Sequence, residues 1–136
     1  MEPGYVALHD RVANAFLDQF EDDPDWVIGF VHADFSDVSG DVGPVCKAFL
    51  VRRPPDPELP EYVPLEWATI EALIGLQKVY ASNDEAFDQL DLEIEAADGR
   101  YRFQFYRATA QPADGQDSPT ATGHLLQRYR AILARS

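Results

Sequence analysis

Cysteine is almost missing from this sequence: Cys46 is the only one in 136 residues. A single thiol excludes an intramolecular disulfide and a cysteine-based zinc site, and it suits a reducing cytoplasm. Long apolar runs are missing too. None approaches the ~18 residues of a membrane span, and no charged N-terminal region leads into an apolar core, so a soluble protein not exported by a cleavable signal is expected. Basic residues are scarce, 11 Lys and Arg against 24 Asp and Glu, for a net charge of −13. Such a field repels nucleic acid and anionic membrane and steers toward basic partners, although acidity also serves solubility. There is no Gly-x-Ser-x-Gly, no Gly-rich phosphate loop and no paired-histidine motif. A non-enzyme without a cofactor is expected.

What is present is the composition of a globular protein. The chain is 46% hydrophobic with 2 Trp, 6 Tyr and 8 Phe. Its length suits one domain that buries roughly two thirds of its unfolded surface. Charge is unevenly placed: residues 1–99 hold 22 acidic and 5 basic side chains, residues 100–136 hold 2 and 6. An acidic body therefore carries a basic end.

The most readable stretch runs from Phe87 to Arg107, two alternating segments joined by Asp98-Gly99. A two-residue turn there pairs Ala97 with Arg100 and predicts Ile94 opposite Phe103, Leu92 opposite Phe105 and Ala96 opposite Tyr101 on the apolar face. Glu95 then meets Arg102 and Glu93 meets Gln104 on the polar face. A one-residue slip would expose the apolar set, so this half-buried hairpin specifies its faces.

Tyr5, Leu8, Val12, Ala15, Phe16 and Phe20 recur at helical spacing, predicting an amphipathic helix that Pro24 ends. Trp26 to Phe35 and Val45 to Val51 read as strands, the second central because little alternation survives. Arg52 to Pro64 holds five prolines and reads as a stiff connector. A second helix is expected from Leu65 to Tyr80, with Trp67, Ile70 and Ile74 widening a largely covered apolar surface. Residues 108–123 lack periodicity and predict a flexible loop, with Gln111 to Thr120 mobile. A closing helix should dock by Leu125, Tyr129 and Ile132, with Arg128, Arg130 and Arg135 toward its C-terminal end. The expected fold is a single α+β domain, α-β-β-α-β-β-α, with a four-stranded, mainly antiparallel sheet and helices packed on one face.

Chemistry is sparsely signalled. His32 and Asp34 share a strand face and could bind a metal or orient a base, yet no third ligand has a recognisable spacing; a satisfied sheet histidine is the simpler account. Asp34, Asp37 and Asp41 flank a glycine-containing loop that departs from the twelve-residue calcium pattern. Cys46, mid-strand among Val45, Lys47 and Ala48, reads as a small hydrophobe and not a nucleophile. The Pro-x-x-Pro spacing in Arg52 to Pro60 can present an extended ligand, but a strand-to-helix connector suffices. Glu21, Asp22, Asp23 and Asp25, with Asp91, Glu93 and Glu95 on the polar hairpin face, form a candidate surface for a basic protein. Reversing the hairpin trio to lysine is then expected to leave the fold intact.

Three segments carry a family likeness: Pro24-Asp25-Trp26 after an amphipathic first helix; the Leu-rich helix around Leu65 to Leu76; and Leu90-Asp91-Leu92-Glu93-Ile94-Glu95 running through Asp98-Gly99 to Arg100-Tyr101-Arg102-Phe103-Gln104-Phe105-Tyr106. In pattern, residues 5–133 resemble the YezG-type antitoxin and immunity proteins, small cytoplasmic partners of secreted nuclease toxins. The resemblance implies a protein that binds a toxin domain, blocks its active site or substrate groove, and does no chemistry itself. Carboxylates suit a groove built for phosphates. A small-molecule or enzymatic pocket between the second helix and the sheet, near His32, Trp67 and Tyr101, is the alternative, as is a secretion-chaperone-like adaptor. Oligomeric state is left open.

Overall fold

The computed structural model describes residues 3–23, 25–35, 44–83, 87–106 and 121–135. Pro24, Asp37, Asp41 and the segment Gln111 to Thr120 lie outside the described residues, and with them the expectations placed there. The elements run α1 (Pro3–Gln19), β1 (Trp26–Asp34), β2 (Val45–Arg52), β3 (Glu61–Val63), α2 (Trp67–Ser82), β4 (Gln89–Glu95), β5 (Tyr101–Tyr106) and α3 (Ala121–Arg135). This is an α+β domain, with five strands where four were expected. The sheet order is β3-β2-β1-β4-β5, and every pair is antiparallel. The added strand lies inside the proline-rich connector, between Pro60 and Pro64, where three residues pair with Ala48 to Leu50. A short edge strand tolerates flanking prolines because its outer backbone groups need no sheet partner. The central strand is β1, one place inward from β2.

Helices cover both faces, not one. On the first face α1 and α2 enclose Val31, Ala33, Ala48, Leu50, Leu90, Leu92 and Ile94 with Val12, Phe16, Leu73 and Leu76. On the second, Leu125, Tyr129 and Ile132 of α3 pack on Phe30, Phe49 and Val51. The docking stripe of the closing helix is thus as expected, while residues 121–123 belong to that helix and not to the loop. The physical reason for a second layer is visible in β1 and β2. Consecutive apolar residues point to opposite faces of a strand, so near-continuous runs require cover on both sides.

The first layer packs closely. A β-carbon added to Gly29 would clash with Cε1 of Phe16, whose ring fills that space and meets Trp26 at 5.9 Å between centroids. Gln19, the last residue of α1, holds the entry to α2: its amide donates to the Pro64 carbonyl at 2.6 Å and its Oε1 accepts from the Glu66 N–H at 2.9 Å. That helix begins at Trp67, two residues after the expected start, and Trp67 is 64% exposed where cover was expected.

The hairpin keeps its predicted faces but not its register. Ile94 pairs with Tyr101, Leu92 with Phe103 and Leu90 with Phe105, while Glu93 meets Arg102 and Asp91 meets Gln104. The loop has four residues, 96–99: Glu95 N–H donates to the Arg100 carbonyl, and Gly99 N–H donates back to the Glu95 carbonyl at 2.9 Å. Within residues 96–99 only Gly99 takes a positive φ, 72°, and the Asp98 carboxylate accepts from the Arg100 N–H at 3.0 Å. A two-residue type I′ turn would need positive φ at Asp98 as well. The register therefore slips by two, which preserves the facing of every side chain.

His9 of α1 is buried among Tyr80, Phe103 and Phe105, with Nε2 3.0 Å from the Tyr80 hydroxyl. Burial lowers its pKa below the ordinary 6.5, with the charge of Asp10 opposing. The folded state thus prefers neutral His9, whereas the unfolded chain takes a proton near 6.5. This contribution to stability is complete above pH 6.5 and is lost as pH falls through 6.5 toward the lower folded value. Urea denaturation from pH 7.5 to 5 should show wild type losing stability relative to His9→Phe; a constant gap would contradict this.

Candidate functional site

The second face of the sheet is divided. Its β2 and β1 portion is apolar, with Val51, Phe49 and Phe30; its β4 portion carries Asp91, Glu93 and Glu95, because strict alternation places every second residue of that strand here. α3 matches both halves. Leu125, Tyr129 and Ile132 lie on the apolar half, while His124, Arg128 and Arg135, four and seven residues apart in turn, reach over the acidic half. Helical spacing puts the two sets on adjoining stripes of one helix.

Asp91 is the hub. Its register partner His32 donates from Nδ1 to Oδ1 at 2.8 Å, and His124 Nε2 lies 3.0 and 2.8 Å from Oδ1 and Oδ2. Tyr106 donates its hydroxyl to Oδ2 at 2.7 Å, and Arg128 Nε stands 3.4 Å from the same oxygen. Arg128 also donates to the Tyr106 hydroxyl at 2.6 Å and to Gln104 at 3.1 Å. Asp91 and His32 are each 4% exposed, and the two imidazole centroids are 4.7 Å apart. Burial pushes the Asp91 carboxyl up, but hydrogen bonds from His124, His32 and Tyr106, with the electrostatic pull of His124, outweigh it and hold the pKa far below the ordinary carboxylate range. Asp91 is therefore an anion at neutral pH. An ionised carboxylate only accepts, so His32 Nδ1 and His124 Nε2 carry protons in this arrangement.

This places the residues singled out in the sequence. Asp91 is buried beneath α3 and is not part of a solvent face, because the chain's own basic end covers it. Glu93 is half-buried and binds Arg135 at 2.8 Å and Arg102 at 3.4 Å. Glu95, at the end of its strand, is exposed. Asp23 accepts both terminal nitrogens of Arg52, at 2.6 and 2.9 Å, and Arg52 also holds Glu61. Glu21, Asp22 and Asp25 are exposed, Asp25 with φ of 71°. His32 and Asp34 share a face as expected, but His32 turns to Asp91, and Asp34 accepts from Gln89 at 3.3 Å. The expected pocket residues separate: His32 lies under α3, Tyr101 is on the opposite face bonded to Asp10, and Trp67 points to solvent. Burial pushes the Cys46 thiol up to about 11, so it is protonated and unreactive at neutral pH, in keeping with a packing role.

Three members of the cluster, His124, Tyr106 and Arg128, carried no signal as a site in the sequence. His124 stands one residue before the Leu125 stripe and four before Arg128, a spacing that places both on one helical edge. Nothing in the sequence says which strand that edge meets.

A second feature lies on the outer side of the helical layer. A groove of about 640 Å³ between α1 and α2 is lined by Asp10, Asp18, Glu66 and Glu71, with Arg11 among them. Past Asp18 the exposed Glu21 and Asp22 extend the acidic surface beyond the end of α1. Compared with protein-family models and with curated proteins, the chain matches neither.

Proposed function

We propose that this chain is a non-enzymatic binding domain for a basic protein, and that the partner docks on the acidic outer surface of the α1/α2 layer. The observation that carries this reading is the groove lined by Asp10, Asp18, Glu66 and Glu71 with Arg11 as its basic residue. Of the hairpin carboxylates, Asp91 and Glu93 are paired with the chain's own Arg102, Arg128 and Arg135 and only Glu95 is exposed, so the acidic surface offered to a partner is the one on the helices. The likeness to YezG-type immunity proteins supports a cytoplasmic role in which the partner is a nuclease toxin, whose phosphate-binding groove would accept carboxylates. Charge of this kind accelerates encounter more than it tightens the complex.

The test uses a partner recovered by pull-down from native lysate and stopped-flow association. Reversing Asp18, Glu66 and Glu71 to lysine should slow association by about 10–100-fold at low salt. The difference should close toward 1 M salt, where the Debye length falls to ~3 Å. None of these side chains supports the core; the helix dipole favours Asp18→Lys in the last turn of α1 and disfavours Glu66→Lys at the N-cap of α2 by about 0.3–1 kcal/mol, so the variant should stay folded. Equal, salt-independent rates for both proteins would refute the steering surface.

A further inference from the structure

We propose that His32, Asp91 and His124 bind a divalent transition-metal ion of the zinc type, and that the ion fastens α3 to the sheet. Two imidazoles and a carboxylate converge from β1, β4 and α3, with their ligand atoms all within 4.8 Å of one another. Imidazole nitrogen and carboxylate oxygen bind zinc at about 2.0–2.2 Å, and tetrahedral ligands at that length stand about 3.4 Å apart. The contacts of 2.8 and 3.0 Å to Asp91 therefore need to open by about half an ångström, while the two imidazole nitrogens, no more than 4.8 Å apart, adjust toward the same spacing. His124, in the first turn of α3 with its side chain 18% exposed, is the member free to adjust.

The nitrogen-rich set selects against magnesium and calcium, which take oxygen ligands. To bind the ion, each imidazole gives up the N–H it now donates to Asp91, to its far nitrogen or to solvent, and offers a lone pair in its place. The carboxylate is already oriented from outside, by Tyr106 and, through Tyr106, by Arg128. Arg128 also sets a limit, because its charge 3.4 Å from Asp91 opposes a dication.

That opposition separates a metal site from a hydrogen-bonded clamp. Chelator-treated protein would be titrated with Zn²⁺ by calorimetry and thermal unfolding, and with Co²⁺ by visible absorption, using Cys46→Ser as the background to remove the thiol. One ion per chain, a raised Tm and a Co²⁺ ligand-field band are expected. His124→Ala keeps the Leu125/Tyr129/Ile132 stripe and should fold, yet should lose more affinity than the roughly 10–100-fold typical of outer-shell changes. Arg128→Gln should weaken the metal-free protein but tighten Zn²⁺ binding severalfold. Absence of saturable Zn²⁺ binding, binding undiminished by His124→Ala, or binding weakened by Arg128→Gln would each overturn the proposal.

Discussion

Replacing Asp91 by alanine is expected to destabilise the metal-free domain by about 3–5 kcal/mol, the usual cost of removing one member of a buried ion pair. Four side chains converge on this carboxylate. Arg128 and His124 are partly exposed and recover some hydration, but His32 is buried and loses its acceptor with nothing to replace it. The loss should appear as a lower midpoint in urea denaturation under chelator. Glu95→Ala, four residues further along the same strand and exposed, should stay within about 0.5 kcal/mol of wild type. Reversing Asp91, Glu93 and Glu95 together should therefore unfold the domain and not merely alter a surface, which corrects the expectation from alternation alone. Equal stability of Asp91→Ala and Glu95→Ala would mean that α3 does not depend on the hub.

Leu92→Ala is expected to cost about 2–5 kcal/mol. Leu92 is fully buried, flanked in register by Val31 and Phe103 and covered by the α1/α2 layer. Its surroundings are held by sheet pairing on two sides and by helices above, so the cavity should relax little and the loss should fall in the upper half of that range. Thermal and urea unfolding would measure it. A cost below about 1 kcal/mol would place Leu92 outside the core, since exposed substitutions fall in that range.

Neighbouring residues 91 and 92 show how far the sequence could be read. Alternation places Leu92 inside and Asp91 on the other face, and both are where period two puts them. Alternation does not say what covers the other face. The clue lay elsewhere, in the unbroken apolar runs Val27 to Val31 and Ala48 to Val51: strands apolar on both sides need two layers. Taken with the single unassigned stripe on the last helix, those runs require α3 on the second face. The basic edge of that same helix, His124, Arg128 and Arg135, then falls over the acidic strand. What stayed illegible was the pairing of helix edge with strand, a long-range choice that local pattern does not encode.

The hairpin shows the same limit at shorter range. Asp98-Gly99 correctly marked the turn, and Gly99 does supply the positive φ. Loop length is set by the backbone of Ala96 to Asp98, where alternation is silent, and a slip of two leaves every apolar side chain inward. The strand Glu61–Val63 was hidden for a related reason. Proline counts mark a stiff segment, while three residues are too few for a periodic signal.

The acidic excess acquires a direction from this arrangement. Asp91 and Glu93 on β4 are answered within the chain, whereas Asp18, Glu66 and Glu71 line the groove between α1 and α2 and Glu21 and Asp22 face solvent beyond Gln19. The central claim, that a partner engages the helical layer and not the hairpin, is tested most directly by hydrogen–deuterium exchange of the protein alone and in complex with the partner recovered from lysate. The account predicts new protection across α1, residues 20–23 and the first two turns of α2, with β4, β5 and α3 unchanged. Protection gained on β4, β5 and α3 while α1 and α2 exchange as before would contradict it.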